Sequence, residues 1–444
     1  MSPHALPIVA EQAQTDVFAL MKKYAITKNG FLPADAPVKV LPDPYYSPWE
    51  AIVQHLPELL KTGKLRRDVN SLPLLSTSKL RSQPEWRRAY VILIFLAHAY
   101  IWGGEQAEEI LPPAVAVPLL RISEHLEVPP VATYAGLNLW NFLSTTNDFT
   151  DLDSLESLHT FTGTKDEAWF YLVSVAMEAQ GARIMTDMLN ALESIKTRNY
   201  DTITQALEAL SGNIRQIGAL LERMYENCDP MVFFYEIRPF LAGSKNMAAA
   251  GLPKGVFYDE GNGRGTWQQL RGGSNGQSSL IQFLDIVLGV EHTSEGNSNP
   301  HASRANTSQT RMPAFHEEVR SYMPGPHKRF LEHVARMGSI RELAKLPVST
   351  VEQQDFCNAY QAAIRTMTEF RNKHLQIVTR YIVLPSKKMH NGAKVDLASA
   401  SSVKDEQLTG TGGTALMPFL KQTRDETLQA GHLQAGQLES GEWR

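Results

Sequence analysis

A chain of 444 residues, 43% hydrophobic and 20% charged, has the make-up of an ordinary globular protein, with room for two or three domains or for a large helical domain and a smaller one. A net charge of −4 without a dense basic run counts against nucleic acid or an anionic membrane as the main partner, which leaves small metabolites and proteins. Cys228 and Cys357 are the two thiols and form no CxxC pattern, which counts against a disulfide framework or a zinc ribbon and makes a reducing, cytoplasmic setting the expected one.

The opening MSPHALPIVAEQAQTD shows no basic segment leading an apolar core, so no secretory signal is expected. Residues 1–45 alternate short apolar patches with Gly30, Pro33, Pro37, Pro42 and Pro44, the pattern of an irregular arm laid on a domain. Ser47-Pro48 supplies an N-cap and a proline at the first helical position. They predict a helix to Gly63 that buries Ile52, Leu56, Leu59 and Leu60 and is kinked at Pro57. Leu65 to Leu80 reads as a connector. Tyr90 to Trp102, YVILIFLAHAYIW, is too short to span a bilayer and carries His98, so it is predicted to be a buried core helix ending at Gly103-Gly104. Prolines start two further predicted helices, Pro112 to Leu126 and Pro130 to Phe142.

Thr145 to Asp166, which opens TTNDFTDLDS, is polar and aperiodic apart from a candidate short strand at Ser157 to Phe161. We set the domain boundary there: a small, mostly helical N-terminal domain over 1–150, a linker over 151–165, and a large all-α domain over 166–444. Asp166 to Ser194 and Asp201 to Asn227 read as long helices, and with few strand signals between them they predict a mainly α fold. Residues 294–310 and 387–409 are polar and rich in small side chains, as surface loops are.

Four segments could carry chemistry. In PMVFFYEIRPFLAG (230–243), Phe233, Phe234 and Phe240 are core candidates, and Arg238 is by default a solvated or salt-bridged arginine, yet among aromatics it is costly to bury unless it meets an anion. Its planar fork suits a carboxylate. RGGSNGQSS (271–279) is glycine-rich but lacks both the P-loop lysine and GxGxxG, so alone it signals a turn and close backbone approach. GTGGT (410–414) is either a linker or a loop folded over a polar ligand group. FRNKHLQIVTRYIVLP (370–385) is an amphipathic helix in which Phe370, His374, Ile377, Val378 and Tyr381 share one stripe, with Pro385 ending it. His374 therefore faces inward, either as a neutral imidazole satisfied by hydrogen bonds or as a metal ligand, most simply the proximal ligand of a haem. No HExxH, GxSxG or close carboxylate pair is present, and Glu108-Glu109 and Glu317-Glu318 read as solvated faces.

Taken together, WFYLVS (169–174), FFYEIRPFLAG (233–243), GGSNGQSS (272–279), YMPGPHKRFL (322–331), FRNKHLQIVTRYI (370–382) and GTGGTALMPFLK (410–421) resemble the indoleamine 2,3-dioxygenase family of haem enzymes. PPVATYAG (129–136) extends the resemblance, which covers Pro44 to Thr423. HLQIVTRYI followed by GTGGT is highly specific, whereas each glycine loop alone is weak. The 294–310 segment is longer than the resemblance leads one to expect, as a surface insertion would be.

The resemblance implies haem b, active as Fe(II), with His374 as the proximal iron ligand and Arg371 paired with Asp285 near a haem propionate. Gly272, Gly273 and Ser274 would pass over the haem. Phe170, Ser174, Phe233 and Arg238 would form the distal pocket, closed by Tyr134 from the N-terminal domain. Arg238 would take the substrate carboxylate, Phe170, Phe233 and Tyr134 would pack on an indole, and Thr411 would meet the amino-acid end. Leu137 and Asn138 sit where the family varies its pocket. Ser174 stands where a haem peroxidase places a distal histidine, and a serine hydroxyl is no general base near neutral pH. No catalytic side chain is therefore expected beyond those that position the substrate. The implied reaction joins O2 to the indole C2–C3 bond of L-tryptophan to give N-formylkynurenine, the first step of the kynurenine pathway. The implied enzyme is a cytoplasmic monomer served by an unidentified reductant, with no nucleic acid or membrane partner. Two alternatives are a haem-binding sensor or low-activity family member, and a haem-free helical interaction protein.

Overall fold

The structure, a computed structural model, describes residues 16–292, 315–388 and 416–433. Both expected surface loops therefore fall almost wholly outside the described residues, as does Thr411. The described chain is mainly helical, as the sequence predicts.

The N-terminal arm carries one short helix, α1 (Val17–Lys23), capped by Asp16, which accepts from the Phe18 and Ala19 amides. The helix predicted from Ser47 to Gly63 is two, α2 (Ser47–Gln54) and α3 (Leu56–Lys61). The break falls at His55, because Pro57 has no N–H and its ring crowds the preceding turn. The expected connector contains α4 (Leu65–Asn70). It buries Leu65 and Val69, while Arg66 donates to the carbonyls of Tyr100, Ile101 and Gln106.

The central apolar run forms α5 (Gln83–Trp102), buried from Arg88 to Trp102 and stopped by Gly103. No helix among the described residues is long and apolar enough to cross a membrane. Next come β1 (Ile110–Leu111) and α6 (Pro113–Leu126). The helix expected over 130–142 is reduced to a π-helical turn, Ala135–Leu139, which leads into β2 (Phe142–Ser144). The latter pairs antiparallel with β3 (Leu155–Ser157), so the short strand ends at Ser157, the first residue of the SLHTF segment, rather than running through it.

The long helix expected over 166–194 breaks near Arg183 into α7 (Lys165–Ala182) and α8 (Met185–Ser194). After α9 (Tyr200–Glu222) and α10 (Met224–Asn227), a π-helical turn at Phe233–Ile237 joins α11 (Pro230–Val232) to α12 (Arg238–Leu241). A hairpin of β4 (Val256–Gly261) and β5 (Arg264–Gln268) then recruits β1 in parallel, with Ile110 opposite Phe257.

The remaining helices are α13 (Ser279–Leu288), α14 (Phe315–Arg320), α15 (Gly325–Val334), α16 (Ile340–Ala344), α17 (Val351–Val378), α18 (Leu384–Lys388) and α19 (Leu416–Ala430). Gly289 ends α13 at φ 65°, a left-handed position that suits glycine. Thr350 and Gln353 form a capping box that starts α17, so the predicted 370–385 helix is the last part of a 28-residue one. Pro385 does not end it: the chain widens into a π-helical turn over Thr379–Val383, and the proline falls in the first turn of α18, where an N–H is not needed.

Buried apolar side chains form one continuous cluster from Val17 to Ala430, and α17 lies along α9 at its centre. His98 of α5 is a buried histidine with both nitrogens used. Nδ1 lies 2.7 Å from the Phe240 carbonyl and so carries the proton, while Nε2 accepts from the Ala132 amide at 2.9 Å. Burial pushes its pKa from 6.5 to about 4. Its contribution is therefore complete above about pH 6.5 and is lost as pH falls towards about 4. His98→Ala is expected to lower stability by about 2–4 kcal/mol at neutral pH, read as a drop in the urea midpoint.

Candidate active site

One cavity gathers the separate sequence segments. Tyr134, Phe170, Ser174, Phe233, Arg238, Gly273, Ser274, Asp285, Arg371 and His374 all line it. Gly272 lies next to this lining. Thr411 lies outside the described residues.

The α7 wall follows from helical spacing, since Phe170, Ser174, Met177 and Glu178 recur on one face and all reach the cavity. Phe170 packs on Phe233 with ring centroids 4.9 Å apart, and Phe233 meets Tyr381 edge-on at 5.8 Å. Tyr381 is held in turn, its hydroxyl donating to the carbonyls of Met224 and Cys228. Arg238 is fully buried at the start of α12, and its guanidinium carbon stands 5.4 Å from the Phe234 ring centroid.

The glycine loop has a steric reason visible in its neighbours. A Cβ on Gly272 would lie 2.0 Å from the Leu241 carbonyl oxygen, and one on Gly243 would lie 2.3 Å from the Gly272 nitrogen. The two segments thus cross backbone on backbone. A Cβ on Gly273 would meet the Leu137 side chain at 2.6 Å and the Ala132 carbonyl oxygen at 3.0 Å, so this residue too lies close against the N-terminal region. Gln277 stitches this loop to the N-terminal region by accepting from the Tyr134 amide at 2.9 Å and donating to the Gly272 carbonyl at 2.8 Å.

Glu318 departs from its expected solvated role. It meets Lys245 at 2.5 Å and Arg271 at 2.6 Å, and Arg271 foremost holds its carboxyl down to about 2. Tyr322 accepts from the Arg271 amide at 2.9 Å, so the chain around α14 clamps the start of the glycine loop. Adjacent charges alone do not reveal such a role, because both cationic partners are distant in sequence.

His374 faces the cavity from α17. Among the described residues no hydrogen bond reaches its imidazole. Burial first, and Arg371 second, depress its pKa to about 4, so the ring is neutral near pH 7 with a lone pair available. A neutral imidazole opening on a largely apolar cavity is a donor of the kind that haem iron requires, so the residues fit that group. Among the described residues no cluster of three or more histidine, cysteine or carboxylate side chains offers a many-ligand alternative.

Arg371 pairs with Asp285. Burial alone would raise the Asp285 carboxyl, but Arg371 and His292 outweigh it and hold it well below the usual carboxylate range. His292 was not singled out by any sequence pattern.

Glu178 was missed as well, although a carboxylate four residues after Ser174 on an apolar helix face was the available signal. Its Oε1 accepts from the Tyr134 hydroxyl at 3.0 Å and the Ser278 hydroxyl at 2.7 Å, while Oε2 has no partner. Burial raises its pKa from 4.5 to about 7. The folded state therefore holds this proton more tightly than the unfolded chain, and stability falls as pH rises from about 4.5 through about 7. Glu178→Gln should remove that slope and gain on the order of 2–3 kcal/mol over the wild type above neutrality. Thermal midpoints across pH check this, and an unchanged slope in the variant would contradict burial as the cause.

The family model for indoleamine 2,3-dioxygenase matches residues 20–430. An indoleamine 2,3-dioxygenase of Aspergillus nanangensis is 39% identical over 424 residues, covering 93% of this chain and 97% of that protein. The indoleamine 2,3-dioxygenase of Saccharomyces cerevisiae is 39% identical over 447 residues, covering 95% and 96%. A 6-hydroxytryptophan 2,3-dioxygenase of Fusarium equiseti is 35% identical over 420 residues, covering 94% and 98%. The chain belongs to the indoleamine 2,3-dioxygenase family, haem-dependent oxidoreductases that act on tryptophan-like indoles.

Proposed function

We propose that this enzyme adds O2 across the indole C2–C3 bond of L-tryptophan to give N-formylkynurenine. That reaction would open the kynurenine route of tryptophan catabolism toward NAD biosynthesis. The observation that carries the reading is His374, a neutral imidazole without a hydrogen-bond partner among the described residues, which faces a cavity also lined by buried Arg238 and Phe233. His374 would hold haem b, with the Arg371–Asp285 pair beside a propionate and Gly272, Gly273 and Ser274 bordering the group. When bound as Fe(II), haem supplies the chemistry toward dioxygen, and an unidentified reductant would bring the iron to that state.

The chain's own residues bind and orient. Arg238 would take the substrate carboxylate in a bidentate pair. Phe170 and Phe233 would hold the indole by their faces, with water kept out by the surrounding apolar side chains. The Tyr134 ring would close the same side, fixed because its hydroxyl is already given to Glu178. Ser174 would contribute shape and a weak hydrogen bond, and no proton transfer is assigned to it. Thr411 would meet the amino-acid end. In this reading residues 1–150 form the smaller domain that closes the distal side through Tyr134, Leu137 and Asn138, and the enzyme works as a cytoplasmic monomer. The Fusarium equiseti relative, named for 6-hydroxytryptophan, supports testing a ring-hydroxylated substrate alongside L-tryptophan.

His374→Ala should abolish the Soret band of the reconstituted protein, and an unchanged spectrum would refute the ligand assignment. Arg238→Ala should cost about 2–5 kcal/mol of substrate binding with the haem spectrum intact. A variant with normal Michaelis constant and rate would contradict the carboxylate contact. In a steady-state assay of ferrous protein with L-tryptophan and O2, N-formylkynurenine should accumulate. Haem uptake with no product from either substrate would leave the sensor reading.

A further inference from the structure

A chain of four charged side chains runs along the edge of the cavity. Arg371 on α17 and His292, just past α13, both meet Asp285 of α13, and His292 reaches on to Glu426 of α19. His292 Nε2 lies 3.2 Å from Asp285 Oδ2, and its Nδ1 lies 2.7 Å from Glu426 Oε2. All four side chains are at most 12% exposed. An ionised carboxylate only accepts hydrogen bonds, so an imidazole with a carboxylate oxygen at each nitrogen satisfies both only when both nitrogens carry protons.

The helix at the far end of this chain forms part of the cavity wall. Leu416, Phe419, Leu420 and Thr423 of α19 line it at positions i, i+3, i+4 and i+7. A helix of 15 residues depends on tertiary ties to stay ordered. The ties of α19 include its packing on α17 and the Tyr360 hydroxyl donating to the Ala430 carbonyl at 3.2 Å.

We propose that His292 is a positioning residue that ties α19 over the cavity by bridging Asp285 and Glu426, so that removing the bridge loosens the protein's hold on its haem. The clause about haem rests on the reading of His374 as its ligand; the tie itself does not. Burial opposes the proton on His292, but Asp285 and the hydrogen bonds to Asp285 and Glu426 outweigh it and raise the pKa above 6.5. Arg371 acts in the opposite sense. Among the neighbouring charges, Arg341 and Glu291 face each other at 3.9 Å, and Gln422 of α19 donates to the other Glu426 oxygen at 2.8 Å. A histidine whose folded pKa is raised contributes fully below its unfolded value, and that contribution disappears as pH rises through the folded one. The tie is therefore complete below about pH 6.5 and is lost as pH rises through the raised folded value.

The test follows haem transfer from the full-length haem-loaded protein to excess apomyoglobin between about pH 6 and about pH 9, by Soret absorbance. At the acid end, His292→Ala should lose haem about 10- to 100-fold faster than the wild type, the range typical of residues that support a metal ligand at second hand. His292→Gln, which can donate one of the two hydrogen bonds, should fall between them, and Glu426→Gln should also lose haem faster. The wild-type rate should climb towards the variant rate as pH rises, while the variant stays flat. Equal rates at the acid end, or a ratio that does not change with pH, would overturn the proposal. Hydrogen exchange of the haem-free protein gives a second readout: residues 416–430 should exchange faster in both His292 variants, and unchanged exchange there would overturn the tie. If the wild type takes up no haem, the ligand reading of His374 fails, and the exchange measurement still decides on His292.

Discussion

A polar group removed from water needs a partner, and that constraint orders the interior of this protein. His98 meets it with a carbonyl on one nitrogen and an amide on the other. Glu167 meets it with the amides of Phe161 and Thr162 and the hydroxyls of Thr162 and Tyr171. Arg88 lies between Glu50 and His159. Against this background His374 is conspicuous, because its ring faces the cavity and receives no hydrogen bond among the described residues. His98 has both nitrogens bonded, whereas His374 is left open at a cavity, where an external electron-pair acceptor would complete it.

The walls around that ring are built by two different devices. On the α7 and α17 sides, side chains at helical spacing present a continuous face, so geometry follows from period. On the loop side, backbone packs directly on backbone at Gly243 and Gly272, and the segment is placed by Gln277 and Glu318 rather than by a hydrophobic face. The first device makes a rigid wall and the second a closely fitted one. Ion pairs lie at the margins, where they fix elements to one another while the cavity keeps its largely apolar lining.

What was legible in the sequence follows the same division. An unbroken apolar run identified α5, a leading proline α6 and periodicity the inward face of α17, because each signal is local in the chain. Arg238 among phenylalanines was legible for a related reason: the cost of burying it is visible from its immediate neighbours. The π-helical turns at Ala135–Leu139 and Thr379–Val383 were not, since an inserted residue widens the helix without any compositional mark. Glu178, His292 and Glu318 escaped because their meaning comes from partners on other elements. Glu318 is the sharpest case: its sequence neighbours suggest solvent, and its spatial neighbours are Lys245 and Arg271.

The polar groups on the Tyr134 side also bear on what the pocket can do. Tyr134 gives its hydroxyl hydrogen to Glu178, and Ser278 gives its own to the same oxygen, so these hydroxyl protons are engaged within the protein. Glu178 itself titrates near neutrality, but its free oxygen is closed off from solvent. A carboxyl so enclosed stores a proton better than it exchanges one, because a proton acceptor must come within hydrogen-bond reach to act. The arrangement therefore favours a site that holds an indole in place over one that pulls protons from it. That agrees with the absence, among the described cavity-lining residues, of a histidine other than His374. In the proposed reaction the work left to the protein is orientation, and the residues best suited to it are Arg238, which is fully buried, and Phe170 and Phe233, whose rings pack on each other.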